Sequence, residues 1–392
     1  MKRLVYLYVS NGSAHPDFIP KWDPKIISSE FFAHNIKDEG FYFLFCLLLE
    51  QRVFDEVLIV VESTRSPGHL HLSNQMQVLV VPHISELKKF MRDGDILWAR
   101  GGWRSWFAFL EEWHDQDRWL LFYRAATNRG TWNFWDIVFD DLRTEFAQDE
   151  AGRFYYPIKK PINPTIFAPI SKKRNYDVMI GASHVHDKKR QYLMIEVLKE
   201  YYKKYHTNLH CVLPGSIHRG VYTASIIPSI AKYNLDVTLT GMVNHHQLAA
   251  LYNDCSIFVH CGVGGQNDRG PLEALSCGTP IMLANEQYHA PCIRPFKTFG
   301  SFPIEPDNPQ LAAEQIHQLL EKIKAAEEKF RDITFASFQM GSGIDDVILP
   351  QFSYLFKQIL NTPHNKRQEW FNSLLKGQRA YEASGNDKKH LS

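Results

Sequence analysis

The chain lacks any apolar run long enough to cross a bilayer. Its longest, Phe41–Leu49, is less than half of the about 20 residues that a spanning helix needs, and its flank Glu50-Gln51-Arg52 suits a buried helix that ends at the surface. A signal-peptide layout is also missing, since Met1-Lys2-Arg3 leads straight into a strand-like run. Neither sign of charge dominates: 44 Lys and Arg face 43 Asp and Glu, for a formal net charge of +1. That balance gives no general reason to expect a nucleic acid or an anionic membrane as partner. The six cysteines (46, 211, 255, 261, 277 and 292) contain no CxxC pair and fall mostly in apolar runs, as buried free thiols in a reducing compartment do. The 18 histidines show no zinc-ligand spacing, and no internal repeat or low-complexity block is present. These absences describe a cytoplasmic, soluble protein for which no metal, zinc or cofactor is expected.

What is present is ordinary globular material, 392 residues with 44% hydrophobic and 22% charged side chains, enough for two domains and two cores. Apolar runs of strand length alternate with amphipathic stretches of helix length, the pattern of a parallel sheet with crossover helices. In the first half, strands are predicted at Leu4–Val9, Val57–Val61, Val78–Val81, Ile96–Ala99, Trp119–Tyr123 and Ile137–Phe139, and helices at Phe41–Gln51, Ser85–Met91 and Ser105–Trp113. The proline-rich stretch Pro157–Pro164 reads as a linker, after which the alternation restarts. Strands follow at Asp177–Ile180, Leu209–Leu213, Val237–Thr240, Ile257–His260 and Thr279–Leu283. Helices intervene at Lys188–Tyr202, near Tyr222–Tyr233 and at His245–Tyr252. Beyond Leu311 the chain is helical over Leu311–Phe330, Gly343–Leu360 and Gln368–Leu375, and ends in a polar tail. The fold expected is α/β, with two Rossmann-like domains facing a central cleft, ligands outside the carboxyl ends of the strands, and C-terminal helices.

One segment carries more chemistry than the rest: Gly264-Gly-Gln-Asn-Asp-Arg-Gly-Pro-Leu-Glu-Ala-Leu-Ser-Cys-Gly-Thr-Pro280. A glycine-rich loop opening into a helix leaves backbone N–H groups unpaired where they and the helix dipole favour an anion such as a diphosphate. One turn later Glu273 can accept hydrogen bonds from a sugar diol. A nucleotide-sugar satisfies both demands.

From about Asn163 to Asn285 the chain resembles the C-terminal half of a retaining family 4 glycosyltransferase (glycosyl transferases group 1) of the GT-B fold. Asn163-Pro-Thr-Ile-Phe-Ala-Pro169 resembles the family's lead into its second domain, and Gly181 closes that domain's first strand, with Lys188, Lys189 and Arg190 opening the next helix. Gly241–Asp254 resembles the strand-turn-helix that brackets the base, and Pro271–Pro280 is the best match. Two positions depart from the family's pattern. Its usual pair of glutamates has seven residues between them; Glu273 fills the second place and Gly265 stands in the first, beside Gln266, Asn267, Asp268 and Arg269. Ser183-His184 stand where an arginine is usual, and Arg269 is positioned to supply that charge.

The resemblance implies a donor site made by Gly12, Gly181, Lys188, Lys189, Arg190, Gly241, Gln266, Asn267, Arg269, Gly270, Pro271, Leu272 and Glu273. His15, Asp268 and Arg269 are the candidate catalytic groups. Seven of the nine tryptophans lie between Trp98 and Trp135, most of them explained by core packing. The stretch Trp98–Arg104 starts at a strand's carboxyl end and reads as an acceptor platform: Arg100, Trp103 and Arg104, with Arg124 and Asn128 at the next strand, would hold a saccharide, the arginines an acidic or phosphorylated one. The expected division is residues 1–162 for the acceptor, 163–345 for the nucleotide-sugar donor, and 346–392 as C-terminal helices and polar tail. The expected reaction is retaining, metal-independent transfer of a hexose-type sugar from a nucleotide diphosphate to a saccharide or lipid-linked acceptor, the latter entailing peripheral membrane association. A nucleotide-sugar epimerase or other GT-B enzyme, and a catalytically degenerate nucleotide-sugar binding module, are the alternatives.

Overall fold

The computed structural model describes residues 2–10, 36–62, 68–100, 106–116, 118–123, 134–141, 143–171, 173–181, 184–185, 187–217, 220–262, 269–284 and 299–383. The chain divides into two compact units, one formed by Met1–Lys159 with Ile348–Ser392, the other by Lys160–Val347.

The first unit is built on strands β1 (Arg3–Ser10), β2 (Glu56–Glu62), β3 (Gly68–His71), β4 (Met76–Val81), β5 (Ile96–Arg100), β6 (Leu120–Tyr123), β7 (Ile137–Asp140), β8 (Ala147–Gln148) and β9 (Phe154–Pro157). They form one sheet in the order β3-β4-β2-β1-β5-β6-β7-β9-β8. Pairing is parallel except at the two edges, where β3 and β8 run antiparallel to their neighbours. Strands covered on both faces have no polar side, and β2 is buried at every position. Alternate residues supply the two faces. On one, Val5, Leu7, Leu58, Val60, Leu97 and Ala99 meet Trp106, Phe109, Leu110 and Trp113 of the helix Phe107–His114 and its lead-in. On the other, Tyr6, Trp98 and Phe139 meet Phe41 and Phe45 of the helix Gly40–Glu50 and Phe352 and Phe356 of the helix Leu349–Asn361. Trp98 is wholly buried there, with ring centroids at 4.8 Å (Phe139), 5.2 Å (Tyr6), 5.3 Å (Phe41) and 5.7 Å (Phe352).

The last 45 residues thus return to the first unit. Phe371, on the helix Arg367–Ala383, stacks on Phe154 at 4.5 Å, and the buried His364 meets Asp136 at 3.0 Å.

The second unit holds β10 (Tyr176–Ile180), β11 (His184–Val185), β12 (Cys211–Pro214), β13 (Ser216–Ile217), β14 (Val237–Gly241), β15 (Cys255–His260), β16 (Ile281–Ala284) and β17 (Ser301–Ile304). Six of them make a parallel sheet ordered β14-β12-β10-β15-β16-β17, while β11 and β13 pair separately. Helices Gln191–Tyr205 and Pro309–Ala325 bury Met194, Leu198, Ile316 and Leu320 against the strands. Local chemistry fixes where helices begin: Asn244 and Gln247 close a capping box before His245–Asp254, and Asn308 caps a helix whose first residue is Pro309.

The predicted α/β class with two Rossmann-like units and C-terminal helices is therefore observed. Details differ. The single helix predicted at Leu311–Phe330 ends at Ala325, because Ala326 leaves the helical region (φ −157°, ψ 53°), and a new helix Glu327–Ser342 starts. Ser85–Met91 forms a tight 3-10 turn, Ile84–Phe90, and Gly343–Leu360 begins as a π turn, Ile344–Ile348. Cys46, Cys211, Cys255, Cys261 and Cys277 are free, all but Cys46 buried, while Cys292 lies outside the described residues. Among the described residues no helix is long and apolar enough to cross a membrane.

If the returning helices complete the first unit's core, Phe352→Ala should destabilise it by about 3–5 kcal/mol, the cost of truncating a buried phenylalanine. Denaturant unfolding followed by tryptophan fluorescence should show a lower midpoint; an unchanged midpoint would remove Phe352 from that core.

Candidate functional site

Parallel sheets present their ligand sites at the carboxyl ends of the strands. In the second unit β10 and β15 run side by side and end at Ile180 and His260, and Gly181 extends β10 by donating its N–H to the Val259 carbonyl at 2.7 Å. Phe258, wholly buried on β15, fills the room beside this end. A Cβ on Gly181 would stand 2.1 Å from the Phe258 ring, and one on Gly270 would stand 3.3 Å from it and from the Tyr252 hydroxyl. The two glycines let the strand end and the helix Arg269–Ser276 close onto one aromatic ring.

That helix carries Glu273, 6% exposed. The Tyr252 hydroxyl donates to its Oε2 at 3.2 Å. Burial raises the Tyr252 pKa well above the ordinary value and the charge of Glu273 raises it further, so the phenol remains a proton donor. Burial and then the same carboxylate also push the Cys277 thiol up, which keeps it neutral and unreactive. The helix is anchored below: Ser276 Oγ donates to the Phe167 carbonyl at 2.6 Å and Thr279 Oγ1 to the Tyr252 carbonyl at 2.7 Å. Asn253 binds the Asn163–Pro169 segment from its other side, donating to the Ala168 carbonyl at 3.0 Å and accepting from the Ile170 N–H at 2.7 Å.

Of the basic residues expected near this end, Lys188 and Lys189 lie in a short turn, Asp187–Lys189, and the helix proper starts at Gln191. Arg190 precedes it with a left-handed φ of 54° and forms an ion pair with Asp307. Burial opposes the charge of Arg190, but the hydrogen bond it donates to Asp307 outweighs that and raises its pKa. Asp187 is committed locally, accepting the Thr223 N–H at 2.9 Å. Gly241 ends β14 with φ 68°, a left-handed conformation that favours glycine. Arg269 opens the helix, half-buried, followed by Gly270, Pro271 and Leu272. Gln266, Asn267, Asp268, Gly12 and His15 lie outside the described residues.

In the first unit Arg100 ends β5. Its Nη1 donates to Glu39 Oε2 at 3.2 Å, and its guanidinium lies 5.2 Å from the centroid of the Tyr8 ring. Burial disfavours the charge, yet Glu39 raises the pKa well above the ordinary value, so Arg100 is a fixed cation. Trp103, Arg104, Arg124 and Asn128 lie outside the described residues. Trp98, Trp106, Trp113, Trp119 and Trp135 are all buried and belong to the core.

Sequence reasoning did not find Tyr252, Phe258, Asp307 or Glu39. Only Tyr252 had a nearby signal, an aromatic just before the strand that leads to the glycine-rich loop. Asp307 lies 117 residues from Arg190 and Glu39 lies 61 from Arg100, separations that no local pattern reports.

Residues 163–332 match the family model described as glycosyl transferases group 1. No curated protein matches the chain. Among solved structures, a sucrose-phosphate synthase from Thermosynechococcus elongatus is similar at 15% identity with a TM-score of 0.61, over 92% of this chain and 100% of that one. A trehalose-6-phosphate protein from E. coli bound with UDP-2-fluoro glucose is similar at 9% identity with a TM-score of 0.64, over 91% and 99%. Anabaena HepE in complex with UDP and glucose is similar at 12% identity with a TM-score of 0.58, over 92% and 100%. At these identities the likeness is one of fold. The GT-B class expected from the motifs is borne out, and so is the glycosyltransferase group 1 recognition over the residues matched.

The Phe258 contact makes its own prediction. Gly181→Ala should destabilise the second unit by about 1–3 kcal/mol, the usual cost of overpacking. Gly181→Ala/Phe258→Leu should recover most of that loss in thermal unfolding; a fully stable Gly181→Ala would show that the strand end does not need glycine.

Proposed function

We propose, on the premise of a second unit that carries a glycosyl transferases group 1 module, that the protein is a hexosyl-type glycosyltransferase. It moves a sugar from a nucleotide-diphosphate donor to a saccharide or lipid-linked glycan acceptor in the cytoplasm, with retention and without a metal. The observation that supports this most is Glu273, a carboxylate nearly withdrawn from water at the carboxyl end of a parallel sheet, steadied by the Tyr252 hydroxyl. A buried carboxylate is stable only with hydrogen-bond donors. Two adjacent ribose hydroxyls would add donors to those that its own fold already gives it.

The rest of the donor is read from the same helix. Its N-terminus at Arg269 and Gly270 suits the diphosphate through the helix dipole, and the Arg269 guanidinium adds a fork that matches phosphate oxygens. Lys188, Lys189 and Arg190 supply further positive charge; the donor's diphosphate would compete with Asp307 for Arg190. Catalysis then consists of holding the reactants and stabilising charge on the departing diphosphate. His15 and Asp268 are the candidates for proton handling, and Gly12, Gln266 and Asn267 complete the donor contacts. Arg100, Trp103, Arg104, Arg124 and Asn128 of the first unit receive the acceptor. Two proteins of similar fold bind UDP-2-fluoro glucose or UDP with glucose, which makes uridine nucleotides the first donors to test.

Glu273→Ala should fold and lose nucleotide affinity by about ten- to a hundred-fold, the worth of a charged hydrogen bond. Calorimetry with UDP reads this directly, and unchanged affinity would sink the assignment.

Chelation separates the two ways of meeting leaving-group charge. Sugar transfer should persist in excess EDTA, since cationic side chains and helix amides carry the role. Complete loss of transfer, restored by manganese or magnesium, would overturn the metal-independent reading.

A further inference from the structure

The carboxyl end of the first unit's sheet carries a charge arrangement that the donor site does not explain. The strand order β1-β5-β6 lays Tyr8, Arg100 and Tyr123 side by side on one face there. Arg100 is bound by Glu39, whose other oxygen, Oε1, accepts the Tyr8 hydroxyl at 3.1 Å. Glu39 occupies the N-cap position of the helix Gly40–Glu50, where a side chain ordinarily turns onto the helix amides, but it makes no capping bond. Its carboxylate points to Arg100 and Tyr8 instead.

Arg100 is not used up by this pairing. Its side chain keeps 21% of its exposure, and the bond to Glu39 is its one hydrogen bond among the described residues, leaving further guanidinium N–H groups for a ligand. The acidic groups near this end among the described residues have donors or a cation of their own, Glu62 and Asp140 on the opposite face of the sheet. Glu62 accepts the Trp106 indole N–H at 3.0 Å and the Ile84 N–H at 2.9 Å, Asp141 accepts the Tyr123 hydroxyl at 2.9 Å, and Asp140 sits 3.3 Å from a half-exposed Arg143. A carboxylate or phosphate brought to Arg100 would meet a cation already neutralised by Glu39. A neutral sugar hydroxyl would accept from the guanidinium and donate to the Glu39 carboxylate in one geometry.

We propose that Arg100 and Glu39 form a hydroxyl clamp that admits an uncharged saccharide as acceptor and disfavours carboxylated or phosphorylated sugars. This differs from the acidic or phosphorylated acceptor expected from Arg100 with Arg104, and it rests on the acceptor being received by the first unit, as in the proposed function.

The test uses three probes on one scaffold, methyl α-glucopyranoside, glucuronate and glucose 6-phosphate, titrated by ligand-observed NMR into the full chain. UDP calorimetry on the same samples reports the donor site separately. The wild type should bind the uncharged glucoside at least about ten-fold tighter than either anion, the discrimination expected when an ion pair is already satisfied. Glu39→Gln keeps the shape and frees the Arg100 charge, so the two anions should gain about ten-fold and overtake the glucoside, with UDP affinity unchanged. Arg100→Gln, which leaves Glu39 without its cation, should weaken all three sugars. An anion preference in the wild type, an unaltered ranking in Glu39→Gln, or no binding of any probe by a protein that binds UDP would each overturn the clamp. Absence of UDP binding with the sugar ranking intact would count against the donor assignment and leave the clamp standing. Should Glu39→Gln fail to fold, the wild-type ranking alone decides, since a preference for either anion overturns the clamp and a preference for the glucoside supports it.

Discussion

The contact on which the second unit's functional end depends is the Phe258 ring between two glycines. Gly181 lets β10 end against it, and Gly270 lets the helix Arg269–Ser276 come down onto it. A side chain at Gly181 would overlap the ring outright, and one at Gly270 would press on the ring and on the Tyr252 hydroxyl. Glu273 is buried on that helix, beside the Tyr252 hydroxyl that donates to it. Gly181 is therefore set by packing before any ligand is considered.

In the first unit the equivalent end is organised by charge. Its cation, Arg100, is held by Glu39, whose other oxygen accepts the Tyr8 hydroxyl. That end thus presents a matched donor and acceptor pair.

Much of this was legible in the sequence. β2 and β15 announce themselves as apolar runs bounded by polar residues, because a strand covered on both faces has no polar side to display. The glycine-rich segment and Glu273 were found because a helix start after a strand has a local signature. What stayed hidden has one cause, distance along the chain. Arg190 reads as a cation awaiting an anion until Asp307 is seen beside it, and Arg100 reads the same until Glu39 is. Trp98 opens the stretch read as a sugar platform, although core packing was expected for most of these tryptophans. Only Phe352 and Phe356, about 250 residues away, settle it as core, as the C-terminal helices return to the first unit. Edge strands such as β3 and β8 escape too, since β3 is mostly exposed and β8 has two residues, so neither shows an apolar run.

The central claim is that the nucleotide is held at the helix Arg269–Ser276. Hydrogen–deuterium exchange of the full chain with and without UDP tests it most directly. Slower exchange confined to that helix and to the Gly241–Asp254 segment, with the first unit's strands unchanged, is the expected result. Protection that appears in the first unit and spares residues 269–276 would contradict it.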